Sequence, residues 1–224
     1  MMKVNTTIYY YDRIDLISHK YGPGSNEFNS EIEYLLENLN KFRLLLKNHG
    51  NNLISENVLL ILSSDHRHIK DTGNNIYLNL EFPEITNYIK RSEDGKLLTP
   101  AGSPRAMFLY IKEEKLDEVL KLLQENLCQK AVVLKTEELL EDTEFSKENS
   151  PFRTYSPDKI SRELREKLGN LIILPVQNEE GNWTVWWYEK GVYEVENKGH
   201  HGGLSRYEML VPFYAWRLHD WVND

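Results

Sequence analysis

Short apolar runs alternate with amphipathic segments along this chain, and that alternation constrains its fold more than any other feature of the sequence. Five continuous apolar runs predict buried strands, over residues 7–11, 58–62, 106–111, 131–134 and 171–174. Between the first two runs, apolar residues at helical spacing predict a helix that begins with a capping box at Ser30 and Glu33 and ends at Gly50. A second amphipathic segment, over residues 116–123, separates the third and fourth runs.

Strands that alternate with helices predict the α/β class, with a mostly parallel sheet flanked by helices. At 224 residues and 40% hydrophobic, the chain is long enough for one sizeable core, and we expect a single domain over residues 1–224. Ligands of such folds bind at the carboxyl ends of the strands. The residues that directly follow each apolar run are therefore the first candidates for a functional site.

The charge balance argues against a nucleic-acid or membrane partner. The chain has 27 Lys and Arg against 35 Asp and Glu, a net charge of −8, and no basic cluster that would attract a polyanion. No apolar run reaches about 18 residues, and no signal peptide is recognisable. The single cysteine, Cys128, excludes an intramolecular disulfide and a cysteine-based zinc site. We therefore expect a cytoplasmic protein.

Two pairs of candidate metal ligands follow the first two apolar runs. Asp15 and His19 are four residues apart, so a helical turn would place both on one side, close enough to share an ion. Asp65 and His66 directly follow the second run, where burying two ionisable groups is costly unless they are paired or bound to metal. The alternatives are an ordinary surface Asp and His for the first pair and a polar loop for the second.

A third candidate segment is a histidine pair between glycines. His200 and His201 lie between Gly199 and Gly202, which would let the backbone approach a metal or a phosphate closely. Ser205 and Glu208 then predict a capping box for a following helix. The alternative is a glycine turn with solvated histidines.

Taken in order, D-x-x-x-H, a strand followed by D-H, and H-G-G-L-S-x-x-E-M-x-V-P resemble the phosphodiesterase and nucleotide pyrophosphatase branch of the alkaline phosphatase superfamily. The resemblance covers nearly the whole chain. It implies five metal ligands at two adjacent sites: Asp15, His19 and His201 at one, and Asp65 and His66 at the other. It favours His201 over His200 because the family places its histidine directly before the glycine.

This chain departs from the family pattern at two places. Arg67 stands where the family usually has glycine after the Asp-His pair, which affects the geometry of the second site. In the family, a strand well upstream of the first pair supplies a further metal-binding Asp, and a helix N-terminus supplies a Thr or Ser nucleophile. Only fourteen residues precede Asp15, so we expect the N-terminal part of the fold and the catalytic nucleophile to be absent.

The resemblance therefore implies a metal-dependent hydrolase of small phosphate esters or nucleotide-like substrates, as a fragment or as one half of a split enzyme. The expected cofactor is a divalent metal, zinc or manganese, with up to two ions in the intact family site. The alternative is a non-catalytic metal-binding or protein-interaction module derived from that fold. The uncovered sheet edge also predicts a homo-oligomer or a complementing chain.

His49, His68 and His219 are predicted to be isolated surface or helix-end histidines.

Overall fold

The computed structural model describes residues 5–48, 58–140, 161–189 and 197–223 of the chain. These residues form two compact units that are both discontinuous in sequence. The first unit comprises Met1–Lys70, Asn197–His200 and Leu210–Asp224, and the second comprises Asp71–Glu196 and His201–Met209. None of the described helices is long and apolar enough to cross a membrane.

The helices and strands are numbered in chain order. The helices are α1 (Arg13–Tyr21), α2 (Asn26–Asn48), α3 (Leu78–Glu81), α4 (Ile85–Tyr88), α5 (Leu116–Asn126), α6 (Thr136–Leu140), α7 (Arg162–Lys167), α8 (Arg206–Met209) and α9 (Leu218–Asn223). The strands are β1 (Leu59–Ser63), β2 (Ile69–Lys70), β3 (Asn74–Tyr77), β4 (Ala101–Ser103), β5 (Ala106–Leu109), β6 (Ala131–Lys135), β7 (Leu171–Pro175), β8 (Gln177–Asn178), β9 (Gly181–Trp186), β10 (Gly199–His200) and β11 (Phe213–Arg217).

The first unit combines α1 and α2 with two small antiparallel sheets. β1 pairs with β11, and Ser63 at the end of β1 lies opposite Phe213. β2 pairs with β10, and His200 lies opposite Ile69. These pairings fix the chain on both sides of residues 64–68, the segment that carries the predicted Asp-His pair.

The second unit contains the main apolar core. Its larger sheet has the strand order β4-β5-β7-β6, and β3, β9 and β8 form another sheet. The central strand β7 is paired at both edges and is buried along its whole length. Helix α5 contributes Val119 and Leu123 to the core. The other fully buried core residues, with an exposure of 1% or less, are Ile76, Leu78, Ile85, Ile89, Leu109, Ile111, Leu127, Leu171, Ile173 and Val185.

The prediction of a mostly parallel sheet is wrong for the described residues. Among their strand pairings, only β3 with β9 is parallel, and every pairing in the four-stranded sheet is antiparallel. The continuous apolar runs correctly indicated strands, and four of them match β1, β5, β6 and β7 closely. Of these four, only β7 is buried along its whole length, whereas β1 alternates between exposed and partly buried residues. Apolar content is compatible with either strand direction, so the runs carried no information about direction.

Two local predictions near the N-terminus are also wrong. Residues 7–11 form no strand, and Ile8 and Tyr9 are 86% and 84% exposed. Helix α2 begins four residues before Ser30, so Ser30 cannot cap it. The cap is Ser25, whose hydroxyl accepts a hydrogen bond from the Phe28 amide at 3.1 Å. The predicted end of this helix at Gly50 lies outside the described residues.

Candidate metal centre

Helix α1 carries the first predicted pair of ligands on one side. Asp15 and His19 are one turn apart, and Oδ1 of Asp15 lies 3.7 Å from Nε2 of His19. Their side chains are 40% and 28% exposed, so an ion could reach both from solvent. The helical spacing read from the sequence therefore brings this carboxylate and this imidazole together, as predicted.

Contacts to α2 hold the start of α1 in place. Glu31 of α2 accepts hydrogen bonds from the Tyr11 hydroxyl and from the guanidinium of Arg13, the latter at 2.9 and 3.2 Å. Hydrogen bonds from Tyr11 and then Arg13 lower the pKa of Glu31. Burial and the hydrogen bond to Glu31 raise the pKa of Tyr11 to about 12. This network joins the residues on either side of the α1 N-terminus to α2, only two residues before Asp15.

Strand β10 fixes the ring of His19. Nδ1 of His19 lies 2.9 Å from the carbonyl oxygen of Gly199, and the Lys198 amide donates to the His19 carbonyl at 2.7 Å. A carbonyl oxygen can only accept, so Nδ1 carries the proton and the neutral ring keeps its lone pair on Nε2. A Cβ atom at Gly199 would lie 2.4 Å from the Ser18 carbonyl oxygen, so this approach requires glycine.

The second predicted pair follows β1. Asp65 is 64% exposed, and its Oδ1 accepts a hydrogen bond from the His66 amide at 3.0 Å. Nε2 of His66 lies 3.8 Å from Oδ2 of Asp65 and 3.8 Å from Oδ1 of Asp15. Those ligands of the two predicted sites that belong to the first unit are therefore neighbours, with His66 between the two carboxylates.

Arg67, which replaces the glycine of the family pattern, is directed to the backbone of the chain before β11. Its guanidinium donates to the Leu210 carbonyl at 3.4 Å. Residues 59–68 alternate strictly between exposed and partly buried side chains, as in an extended strand. Arg67 is on the exposed side of that alternation, whereas His66 is on the partly buried side, with its Nε2 3.8 Å from Oδ1 of Asp15.

His68 is the residue that the sequence analysis missed. It was predicted to be an isolated surface histidine, but its side chain is only 7% exposed and its Nε2 lies 2.8 Å from Oδ1 of Asp15. Asp15, His19 and His68 each place a ligand atom within 4.8 Å of the others. The available signal was the i, i+2 spacing of His66 and His68, which puts both rings on one side of an extended segment.

The glycine-flanked histidines belong to different units. His200 is buried in β10 of the first unit, opposite Ile69. His201 begins the part of the second unit that leads to α8, and its carbonyl oxygen accepts a weak hydrogen bond from the Ser103 hydroxyl at 3.4 Å. Gly202 has a φ of +103°, a conformation that favours glycine.

A buried carboxylate organises the loop after His201. Glu208 accepts hydrogen bonds from the Gly203 amide, the Ser205 hydroxyl and the Arg105 guanidinium, at 2.6–3.0 Å. Burial alone would raise the pKa of Glu208, but these hydrogen bonds and the charge of Arg105 outweigh it and lower the pKa. The predicted capping box is therefore wrong in detail, since the Ser205 hydroxyl donates to the Glu208 carboxylate instead of capping the helix amide.

The donor set of the first unit suits a divalent transition metal. Zinc and manganese bind imidazole nitrogen and carboxylate oxygen, and zinc uses bond lengths of about 2.0–2.2 Å for both. A histidine ligand commonly donates its other ring proton to a backbone carbonyl, as His19 does to Gly199. Asp15 and His19 thus offer the donor atoms of two metal ligands, and His19 also has the backbone partner that is usual for a metal-bound histidine.

Comparisons with known proteins support the resemblance drawn from the motifs. The murine ectonucleotide pyrophosphatase/phosphodiesterase 5 shares 20% sequence identity with this chain at a TM-score of 0.61, over 90% of this chain and 44% of that one. An inactive variant of the murine protein in complex with AMP gives the same values. The human counterpart shares 19% identity at a TM-score of 0.60, over the same shares of the two chains.

At this level of identity the structural likeness shows a common fold, and the chain spans less than half the length of these structures. No curated protein matches the chain. The family model for type I phosphodiesterase / nucleotide pyrophosphatase matches residues 2–204. That match covers most of the sequence, includes the first two motifs and ends within the third, so this chain belongs to the type I phosphodiesterase / nucleotide pyrophosphatase family.

Proposed function

We propose that this chain is the metal-binding part of a phosphoric ester hydrolase that acts on small phosphodiesters or nucleotide-like substrates. The observation that carries the proposal is the convergence of Asp15, His19 and His66 within the first unit of a chain from this family. When bound, a divalent ion would polarise a phosphoryl oxygen and offset the negative charge that develops during displacement. The protein's part is to hold the ion, and the hydrogen bond from His19 to Gly199 orients one ligand for that task.

The proposed ligands are those that the family pattern assigns. Asp15, His19 and His201 would hold one ion, and Asp65 with His66 would contribute to a second. His201 is included because it directly follows β10, the strand whose Gly199 carbonyl orients His19. The nucleophile and a further metal-binding Asp would come from outside this chain. On its own the chain would then hydrolyse phosphodiesters slowly, through a coordination position that three protein ligands leave open.

The proposal is tested by metal analysis together with a hydrolysis assay on bis(4-nitrophenyl) phosphate. We expect the purified chain to contain zinc or manganese, and we expect Asp15→Asn and His201→Ala to lose both metal and activity. Asp12→Asn is the matched control, since Asp12 is an exposed carboxylate just before α1 and should leave both readings unchanged. Wild-type protein without metal would overturn the proposal.

A non-catalytic metal-binding module is the second candidate function. It is favoured by the crowding of imidazoles at Asp15, where His68 approaches in addition to His19 and His66. Four protein ligands close a tetrahedral site, as in structural zinc centres, whereas catalytic sites keep one position open. If the wild type binds metal tightly but hydrolyses bis(4-nitrophenyl) phosphate no faster than Asp15→Asn does, this second function is the correct one.

We also propose that the chain associates with a second copy through one face of the β1–β11 sheet. Leu59 and Ile61 of β1 and Phe213 of β11 are 60%, 52% and 67% exposed, and the strand register places them on the same face. Exposed apolar side chains on a small sheet favour pairing with another chain. Sedimentation velocity at micromolar concentration should show a dimer that Ile61→Lys dissociates, and a stable wild-type monomer would contradict this part of the proposal.

A further inference from the structure

His68 lies on the segment between β1 and β2, next to the carboxylate of Asp15. The alternation of exposed and partly buried side chains along residues 59–68 places it on the same side as His66. Its side chain is 7% exposed, and its Nε2 lies 2.8 Å from Oδ1 of Asp15. Of the three imidazoles at Asp15 in the first unit, that of His68 is the closest to the carboxylate and the least exposed.

The ligand atoms of Asp15, His19 and His68 are spaced as those of one ion. Bond lengths of about 2.0–2.1 Å at a tetrahedral metal separate two ligand atoms by about 3.3 Å. Oδ1 of Asp15 lies 2.8 Å from Nε2 of His68, which is shorter than that separation, and 3.7 Å from Nε2 of His19, which is longer. Shifts of about half an ångström in side chains would bring both distances to the tetrahedral value.

The orientation of the two rings supports a shared ion. The ring centroids of His19 and His68 are 4.6 Å apart, and their planes are inclined by 77°, so the rings meet edge to face rather than stacking. Both rings can therefore direct a nitrogen toward Asp15 without steric conflict. Because Nδ1 of His19 is directed to the Gly199 carbonyl, Nε2, which lies 3.7 Å from Oδ1 of Asp15, is the nitrogen of that ring that would bind the ion.

The chemistry of the cluster suits a cation. A divalent ion accepts the lone pair of an imidazole nitrogen and is attracted to the negative charge of a carboxylate. Asp15, His19 and His68 supply one carboxylate oxygen and two imidazole nitrogens that lie within 4.8 Å of one another.

We propose that His68 is a direct metal ligand, so that Asp15, His19 and His68 form a three-ligand site within the first unit. The family pattern assigns no ligand at this position. The inference deepens the proposed function and rests on its metal dependence, but it does not require hydrolysis.

The competing explanation is that His68 is a positioning residue that only donates a hydrogen bond to Asp15. The variant His68→Gln separates the two roles, because the glutamine amide nitrogen can occupy the place of Nε2 and donate to the carboxylate but is a poor metal ligand. The matched control is His219→Gln, an exposed histidine on α9 that contacts Asp220 and Asn223.

Two quantities are measured for each variant. Competition with a chromogenic chelator gives the zinc affinity, and X-ray absorption spectroscopy gives the number of coordinated imidazoles. We expect His68→Gln to lose one coordinated imidazole and more than about a hundredfold in affinity, beyond the range typical of outer-shell partners. His219→Gln should match the wild type in both. An unchanged imidazole count in zinc-loaded His68→Gln, with affinity within tenfold of the wild type, would overturn the inference and assign His68 to positioning.

A second measurement covers the case in which His68→Gln does not fold by circular dichroism. In the cobalt-substituted wild type with ¹⁵N-labelled histidine, paramagnetically shifted imidazole signals count the ligands directly, and the His68 signal is assigned from the proximity of its ring to that of His19. Absence of His68 from the shifted set would overturn the inference. If the protein binds metal through His68 but does not hydrolyse phosphodiesters, the proposed function is contradicted and the inference about His68 stands.

Discussion

The guanidinium of Arg105 donates to both carboxylate oxygens of Glu208, at 3.0 and 2.8 Å, and the two side chains are 0% and 1% exposed. Arg105 also donates to the backbone carbonyls of Val176 and Trp183, which lie before β8 and within β9. The pair therefore links the loop after His201 to the sheets of the second unit. Removing one partner would leave an uncompensated buried charge.

Arg105→Met should lower the free energy of unfolding by about 3–5 kcal/mol, the range found when one partner of a buried ion pair is removed. Urea denaturation followed by tryptophan fluorescence measures the change. The control is Lys96→Met, which breaks the exposed pair with Asp94 and should leave the denaturation midpoint unchanged. Equal effects of the two substitutions would show that the buried pair has no special role in stability.

The lowered pKa of Glu208 predicts a loss of stability in acid. A carboxyl whose pKa is lower in the folded state stabilises the protein above its unfolded pKa, near 4.5, and this contribution disappears as the pH falls through the folded pKa. Melting temperatures of the wild type should therefore fall more steeply than those of Glu208→Gln as the pH is lowered from 5 to 3. If the melting temperatures of the two proteins fall in parallel as the pH is lowered, folding does not lower the pKa of Glu208.

Burial raises the pKa of Tyr11, and the hydrogen bond to Glu31 raises it further. With the pKa at about 12, Tyr11 should remain mostly protonated at pH 11, whereas Glu31→Gln should bring its titration toward the ordinary value near 10. NMR of protein labelled at the tyrosine Cζ carbon measures this, with the Tyr11 signal assigned from Tyr11→Phe. Tyr88, whose pKa is raised by its hydrogen bond to Glu118, provides an internal control that Glu31→Gln should not affect. If Tyr11 titrates identically in both proteins, Glu31 does not contribute to its raised pKa.

Gly199 should be essential for the orientation of His19. In Gly199→Ala, the new Cβ would lie 2.4 Å from the Ser18 carbonyl oxygen and would force β10 away from α1. The carbonyl of Gly199 would then move from Nδ1 of His19, and we expect a loss of about 10–100-fold in zinc affinity.

The matched control for Gly199 is Gly24→Ala, where a Cβ would meet no atom within 4 Å. Its φ of +78° makes alanine unfavourable by about 1–2 kcal/mol, so stability should fall while zinc affinity is retained. Chelator competition and thermal unfolding on both variants separate the two effects. Similar zinc affinities in Gly199→Ala and the wild type would show that the hydrogen bond to His19 is dispensable.

Local periodicity was enough to predict part of the fold and part of the site. The pair Asp15 and His19 lies on one side of α1 because their spacing equals one helical turn, and four of the apolar runs became β1, β5, β6 and β7 because short apolar runs favour strands. Strand direction was predicted wrongly, because apolar content is the same for either direction. The segment over residues 7–11 was predicted wrongly because a strand also requires a partner to pair with.

The sequence by itself determined the family, through the order and spacing of its three motifs, and determined the candidate ligands that those motifs contain. Only the tertiary structure decided that His68 faces Asp15, since these residues are 53 positions apart and no local period relates them. Their approach depends on α1 and the segment after β1 being held in place, by α2 and β10 on one side and by β11 on the other. Such contacts arise from packing between distant segments, which local spacing does not encode.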